Sequence, residues 1–246
     1  MTTSLAGKLA IVVGGSRGLG RGAVDTLAAR GANVVAIGRD TSTLAGERIT
    51  AITGDATDEA LAERLLRERK PDVLVICAGA APVLGAFHEL SWAQFQTNWN
   101  VDTKLAFVWL RAALRTPLAR DAHVIVVSSG AAIQGSPVSG GYAAAKRAQW
   151  FLADYAATEI KRAGLGIRVH CVLPNLNPST ELGRAAIAAY AARAGVGEAE
   201  FAKRFEPQLT PEIFGTAIAD LAANPTAWDQ LAYRVGGRGL APAVAI

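Results

Sequence analysis

Three residues, Ser129, Tyr142 and Lys146, carry side chains that together can move one proton to or from an oxygen. Tyr142 and Lys146 stand four apart in "GGYAAAKRAQ". On a helix such residues share a face, separated by about 6 Å of rise. A free phenol titrates at about 10, too high for acid or base work at neutral pH, and an ammonium one turn along favours the phenolate. A tyrosine and a lysine at this spacing are common by chance and carry little alone. Ser129, at the end of "HVIVVSSG", adds a hydroxyl that can hold a substrate oxygen beside Tyr142. The chemistry implied is proton transfer at a carbonyl or an alcohol.

Those side chains need a scaffold that brings strand ends and helix starts together. Short, apolar, β-branched runs recur at Lys8–Val13, Asn33–Ile37, Ile49–Thr53, Asp72–Cys77, His123–Ser128 and Ile167–Leu173. Their near-continuous hydrophobicity predicts strands covered on both faces, as in a parallel sheet. Helix-period segments lie between them at Leu19–Arg30, Asp58–Arg69, Trp92–Leu114 and Tyr142–Arg162. The alternation predicts a single α/β domain over residues 1–246, a doubly wound, Rossmann-type, mostly parallel sheet with helices on both faces. Ligands of that architecture sit beyond the carboxyl ends of the strands, where Ser129 and Tyr142 fall. The nine residues Asp40 to Arg48 are too few for a full helical crossover. Residues 175–210 break the rhythm with "PNLNPST", an Ala-rich helix and a short helix around Glu198 to Phe205. This insertion reads either as a mobile cover over the site or as helices packed at the domain edge.

The loop "VVGGSRGLG" follows the first strand and opens the first helix. Glycines at 14, 18 and 20 let a diphosphate reach the amides at the helix start, so Gly14, Ser16, Arg17, Gly18, Leu19 and Gly20 are candidate cofactor-binding residues. The spacing is GxxxGxG, not the GxGxxG of the standard dinucleotide fingerprint. After the second strand comes "AIGRD", where Gly38 leaves the strand end uncharged and Arg39 follows. An acid near this point would suit the ribose diol of NAD, whereas a 2′-phosphate needs a cation. Arg39, with Arg17 from the other side, therefore points to NADP(H) over NAD(H). If the strand runs one residue further, the Asp40 carboxylate takes the ribose position instead.

Composition narrows the field. Half of the 246 residues are apolar, enough for one large core. The net charge is +4, but the basic residues are scattered, which speaks against nucleic acid. Cys77 and Cys171 lie in apolar runs, where reduced thiols behave as small hydrophobes. They and the three histidines show no metal-ligand spacing, so no metal site is expected. No run is long enough for a membrane helix and no charged leader precedes an apolar stretch, so the chain reads as soluble and cytoplasmic.

Taken together, these motifs resemble the short-chain dehydrogenase/reductase family in its single-domain form. The resemblance spans the chain: VGGSRGLG, "GDATD" after the third strand, "CAGA" after the fourth, Ser129 with YAAAK after the fifth, and "LPN" after the sixth. It implies that Tyr142 is the proton donor or base, that Lys146 assists it and binds the nicotinamide ribose, and that Ser129 orients the substrate oxygen. It further implies an adenine pocket lined by Asp55 and Ala56, a ribose turn at Ala78 and Gly79, a contact at Pro174, a small carbonyl or alcohol substrate, and a homo-oligomer, tetramer or dimer. Departures are plain. Val13 and Cys77 stand where the family has polar residues that tie the loops together. Asp102 stands where the family has a catalytic Asn in a water relay, either serving that relay or pairing with Lys146 directly. Asn100, two residues away, would face differently. Asn175 and Asn177 make the nicotinamide end unusual, and the "VDGG" motif is only approximated by Arg234 to Gly237. Those departures keep open a rival reading, a dinucleotide-binding module with little turnover.

Overall fold

The computed structural model describes residues 4–116, 118–224 and 227–243. These residues form an eight-stranded sheet from β1 (Leu9–Val13), β2 (Asn33–Gly38), β3 (Ile49–Thr53), β4 (Val73–Ile76), β5 (His123–Val127), β6 (Arg168–Pro174), β7 (Ala232–Gly236) and β8 (Gly239–Pro242). The order is β3-β2-β1-β4-β5-β6-β7-β8, parallel except for the β7–β8 pair. The helices are α1 (Gly18–Ala29), α2 (Glu59–Arg69), α3 (Trp92–Phe95), α4 (Lys104–Arg115), α5 (Ala131–Gln134), α6 (Tyr142–Ala163), α7 (Glu181–Ala194), α8 (Glu198–Ala202) and α9 (Pro211–Ala223). The expected doubly wound architecture is present, and the strand order reverses between β1 and β4.

Each central strand supplies both cores, because successive side chains point to opposite faces. Ile11, Val13, Leu74, Ile76, Val124 and Val126 pack with α2, α4 and α6. Ala10, Val12, Val73, Val75, Ile125 and Val127 pack with α1 and α9. Helix starts carry their own signals: Asp58 accepts from the amides of Ala60 and Leu61, and Thr210 caps α9 just before Pro211.

Three expectations need correction. β3 is an edge strand with three of its five residues exposed, so its apolar run is not covered on both faces. The long helix expected over Trp92–Leu114 is broken: α3 ends at Phe95, and a wide π-type turn over Trp99–Thr103 leads into α4. The physical reason is Asp102, whose buried carboxylate accepts the Ala80 amide at 2.7 Å and draws the turn inward. β7 and β8 extend the sheet beyond the six apolar runs. The connection over residues 40–48 is a set of turns, as its length requires, with Leu44 buried as a plug.

At the opposite edge from the strand ends, His123 and His170 stack with ring centroids 5.9 Å apart. Burial, reinforced by His170, Arg168 and Lys8, pushes His123 down to about 4, and burial also lowers His170. His123 is therefore neutral in the fold at neutral pH, while the unfolded chain takes up protons below about pH 6.5. Its contribution is complete above that pH and is lost as pH falls toward 4, and the lowered pKa of His170 acts in the same direction. Urea unfolding at pH 7 and pH 5 is expected to differ by about 2 kcal/mol from His123 alone, and His123→Leu should flatten that dependence.

Candidate active site

β1 delivers the chain to Gly14, which adopts φ +86°. The amides of Gly14 and Gly15 both donate to the Ile37 carbonyl, at 2.8 and 3.1 Å, and the Cys77 amide donates to the Val13 carbonyl at 2.9 Å. Main-chain bonds thus join the loops where Val13 and Cys77 lack polar side chains. The approach is close: a Cβ on Gly14 would lie 2.5 Å from the Ala78 nitrogen, and one on Gly20 2.0 Å from the Gly14 carbonyl oxygen. Arg17 precedes α1 without capping it, and the first turn holds no acid, so the amides at the helix start are free of side-chain anions. Such an end attracts phosphate.

The strand end next to this loop is uncharged. β2 stops at Gly38, where an added Cβ would lie 2.9 Å from Ser16 Oγ. Arg39 is exposed. Asp40 turns back into its own bend, accepting from the Ser42 hydroxyl at 2.7 Å and the Ser42 amide at 3.0 Å, bonds that lower its carboxyl pKa. The strand does not run on to Asp40. Arg17 reaches across to Glu181 of α7 at 3.0 Å, both side chains being exposed. Asp55 accepts from the Thr57 amide and hydroxyl, which lower its pKa, with Lys104 and Arg39 adding to the effect. Trp109 Nε1 donates to the Ala56 carbonyl at 2.8 Å, fixing the turn beyond β3.

Further along the same edge, β5 and α6 are bound to each other at Lys146. The Ser128 hydroxyl donates to the Lys146 carbonyl at 2.7 Å, and Lys146 Nζ lies 3.4 Å from the Val127 carbonyl oxygen. Ser129 follows directly, its Oγ accepting the Ala131 amide at 3.2 Å. Tyr142 opens α6 half-buried, with Lys146 Nζ 5.5 Å from its ring centroid. Lys146 is 5 % exposed and stands 3.6 Å from the Asp102 carboxylate. Burial alone would lower its pKa, but Asp102 foremost, then Tyr142 and Cys77, outweigh that penalty, and the net direction is upward. Of the two arrangements open to Asp102, direct pairing with Lys146 is the one found. Asn100 is exposed and does not replace it.

Two buried residues in this cluster were not anticipated. Gln149 Nε2 donates to the Asp102 carbonyl and its Oε1 accepts from Lys146, while Asn98 Nδ2 donates to the Ala80 carbonyl and the Asp102 carboxylate. The one available signal was their placement near Lys146 and Asp102 in the chain. Pro174 ends β6, its carbonyl accepting the Gly130 amide at 2.9 Å. Asn177, 4 % exposed, uses Oδ1 to accept from Ser179, while its Nδ2 has no partner. From α7, Tyr190 stacks on Phe201 and its hydroxyl meets Ser136 in the loop that precedes Tyr142. Among the described residues no cluster suited to a metal ion is found, and no helix is long and apolar enough to cross a membrane.

Comparison with known proteins bears on this geometry. The family model for short chain dehydrogenases matches residues 8–190. The chain is 32 % identical over 184 residues to the 3-oxoacyl-[acyl-carrier-protein] reductase FabG of Escherichia coli K12, covering 68 % of this chain and 72 % of the relative. It is 30 % identical over 191 residues to L-xylulose reductase of Mesocricetus auratus, covering 75 % and 77 %. Among solved structures, it is similar to a protein described as an NAD(P)-dependent gluconate 5-dehydrogenase from Beutenbergia cavernae, with NADP bound at low occupancy. There the TM-score is 0.81 at 28 % identity, over 96 % of this chain and 98 % of the other. A family match across more than half the chain, on a sheet with this order and this glycine turn, identifies the protein as a member of the short-chain dehydrogenase family of oxidoreductases.

Proposed function

We propose that the protein is an NADP(H)-dependent oxidoreductase acting on a small carbonyl compound or secondary alcohol, with Tyr142 as proton donor or acceptor. The observation that carries this reading is the Lys146 ammonium, buried and 5.5 Å from the Tyr142 ring centroid, beside the strand end that leads to Ser129. The residues present fit a dinucleotide. The start of α1 has no side-chain cap and no acid in its first turn, the loop before it closes tightly only because Gly14 and Gly20 lack a Cβ, and the unpartnered Asn177 Nδ2 offers a buried donor near β6. Gly14, Ser16, Gly18, Leu19 and Gly20 would hold the diphosphate, Asp55, Ala56, Ala78 and Gly79 the adenosine, and Lys146 with Pro174 and Asn177 the nicotinamide end. When bound, the nicotinamide supplies or takes the hydride. Tyr142 gives its phenolic proton to the carbonyl oxygen or receives one from the alcohol, Ser129 donates a hydrogen bond to that oxygen, and Lys146 steadies charge on the phenol. Oxidation of NADPH against a panel of ketones, aldehydes and quinones tests the reading. Turnover with at least one supports it, and tight NADPH binding with no consumption across the panel favours the binding-module rival.

Arg39 would meet the 2′-phosphate, since Asp40 is engaged by Ser42 and Arg17 by Glu181. Arg39→Asp removes a cation and adds a repulsive carboxylate. The ratio of kcat/KM for NADPH over NADH is expected to fall by about 10- to 100-fold, the worth of a charge-assisted hydrogen bond. Unchanged selectivity would reassign the phosphate contact.

The protein would act as one catalytic domain, with the segment over residues 175–210 covering the site through Tyr190. Assembly as a homo-oligomer is supported by large apolar side chains left exposed on adjoining elements, Phe107 on α4 and Phe151 with Tyr155 on α6.

A further inference from the structure

Behind Tyr142 lies a polar cluster withdrawn from solvent: Asn98, Asp102, Lys146 and Gln149 are each 5 % exposed or less. The Asp102 carboxylate is not free to swing. One oxygen accepts the Ala80 amide at 2.7 Å, and the other accepts Asn98 Nδ2 at 3.3 Å while standing 3.6 Å from Lys146 Nζ. Gln149, nearly one turn beyond Lys146, uses both ends of its amide. Nε2 donates to the Asp102 main-chain carbonyl at 2.7 Å, and Oε1 accepts from the ammonium at 3.0 Å. The partners fix the orientation of the amide, since a carbonyl needs a donor and an ammonium needs an acceptor. A carboxylate in its place could accept from the ammonium but could not donate to the carbonyl.

From this geometry we infer that Gln149 is a positioning residue, which clamps the wide turn to α6 and holds the Lys146 ammonium charged and aligned against Asp102. The inference rests on the reading of the site as a dinucleotide-dependent proton-transfer centre. Burial works against the lysine cation, so it persists only while its partners are in place. The titratable groups facing it are Asp102 from the turn, Tyr142 on its own helix, and the thiols Cys77 and Cys171. Burial pushes those thiols up to about 11 and about 12, so they bring no compensating charge at neutral pH. Removing the Gln149 acceptor leaves the ammonium with fewer partners and makes it lose its proton at lower pH.

The test uses NADPH as probe and needs no substrate. Its affinity is measured by fluorescence titration from about pH 7 to about pH 10, below the usual lysine range, for the parent, Gln149→Met, Gln149→Asn, Gln149→Glu and Asp102→Asn. Melting curves at the lower pH establish which variants are folded, and the shorter Gln149→Asn stands in if Gln149→Met is not. The parent is expected to keep its affinity across the range. Gln149→Met, Gln149→Asn and Asp102→Asn should weaken by about five- to tenfold as pH rises, while Gln149→Glu, which restores an acceptor beside the ammonium, keeps the parent's flat profile. A flat profile in Gln149→Met or Gln149→Asn would overturn the inference, as would one uniform weakening shared by all three Gln149 variants, which marks a purely structural role. A parent that fails to bind NADPH at neutral pH would instead overturn the functional reading, and the inference with it.

Discussion

Tyr142→Phe is expected to lower the rate of carbonyl reduction by about 10²- to 10⁴-fold, the contribution usual for a positioned general acid, while NADPH affinity stays within about threefold. The substitution removes one hydroxyl and keeps the ring that packs at the start of α6. The Lys146 ammonium keeps Asp102, Gln149 and the Val127 carbonyl as partners, so the buried cluster has no reason to rearrange. A fall in kcat without a matching rise in KM is the signature of a group whose contribution appears in the transition state. Steady-state kinetics beside NADPH titration separates the two effects. Full residual activity would remove Tyr142 from the proton transfer.

The second large effect is expected at the glycine turn. In Gly20→Ala the new methyl would stand 2.0 Å from the Gly14 carbonyl oxygen, which belongs to the backbone that joins β1 to α1. Gly14 has little room to yield, because it packs against the Ala78 backbone beyond β4 and its amide is held by the Ile37 carbonyl at 2.8 Å. Relief must come from moving the helix start, which misaligns the amides proposed to hold the diphosphate. Overpacking of this kind costs about 1 to 3 kcal/mol, a fall in Tm of several degrees for a chain of this size, and NADPH affinity should drop at least about tenfold. Gly197→Ala is the matched control: nothing lies within 4 Å of its Cβ position, and its φ of −69° suits any residue. Equal behaviour of the two variants in melting and binding would show that the close approach is not what the loop requires.

The parts of the fold legible in the sequence are those whose cause is local. Runs such as "LAIVV" and "HVIVV" are strands because every residue is buried between two helical layers, and hydrophobicity alone reports that. β7 carries Arg234 and β8 is half exposed, so neither stands out from a turn. β3 reads like a central strand, yet its place at the sheet edge is set by order, which no single run encodes. The break after α3 is invisible for a similar reason. Apolar spacing continues through Trp99 and Val101, and the wide turn arises from a bond between Asp102 and the Ala80 amide, far away in the chain.

The site divides along the same line. Tyr142 and Lys146 are one helical turn apart and could be paired from spacing, and Asp102 could be suspected from its place against the family pattern. Gln149 could not. A lone glutamine on a helix reads as a surface residue, and its meaning depends on a carbonyl 47 positions earlier. The exposed pair between Arg17 and Glu181 is likewise hidden from the sequence, because it forms only where the segment carrying α7 folds back to the glycine turn. Side-chain type and spacing carry an expectation of chemistry, whereas long-range partners are decided by topology.

The measurement that bears most directly on the proposed activity follows a labelled hydrogen. The protein is incubated with NADPH carrying deuterium at both C4 positions of the nicotinamide and the carbonyl compound it turns over best, and the alcohol is analysed by mass spectrometry and NMR. The expected result is one deuterium at the former carbonyl carbon, formed at a rate that falls in Tyr142→Phe together with turnover. NADPH held by the protein with no deuterium in any product of the panel, or a label at any other carbon, would contradict it.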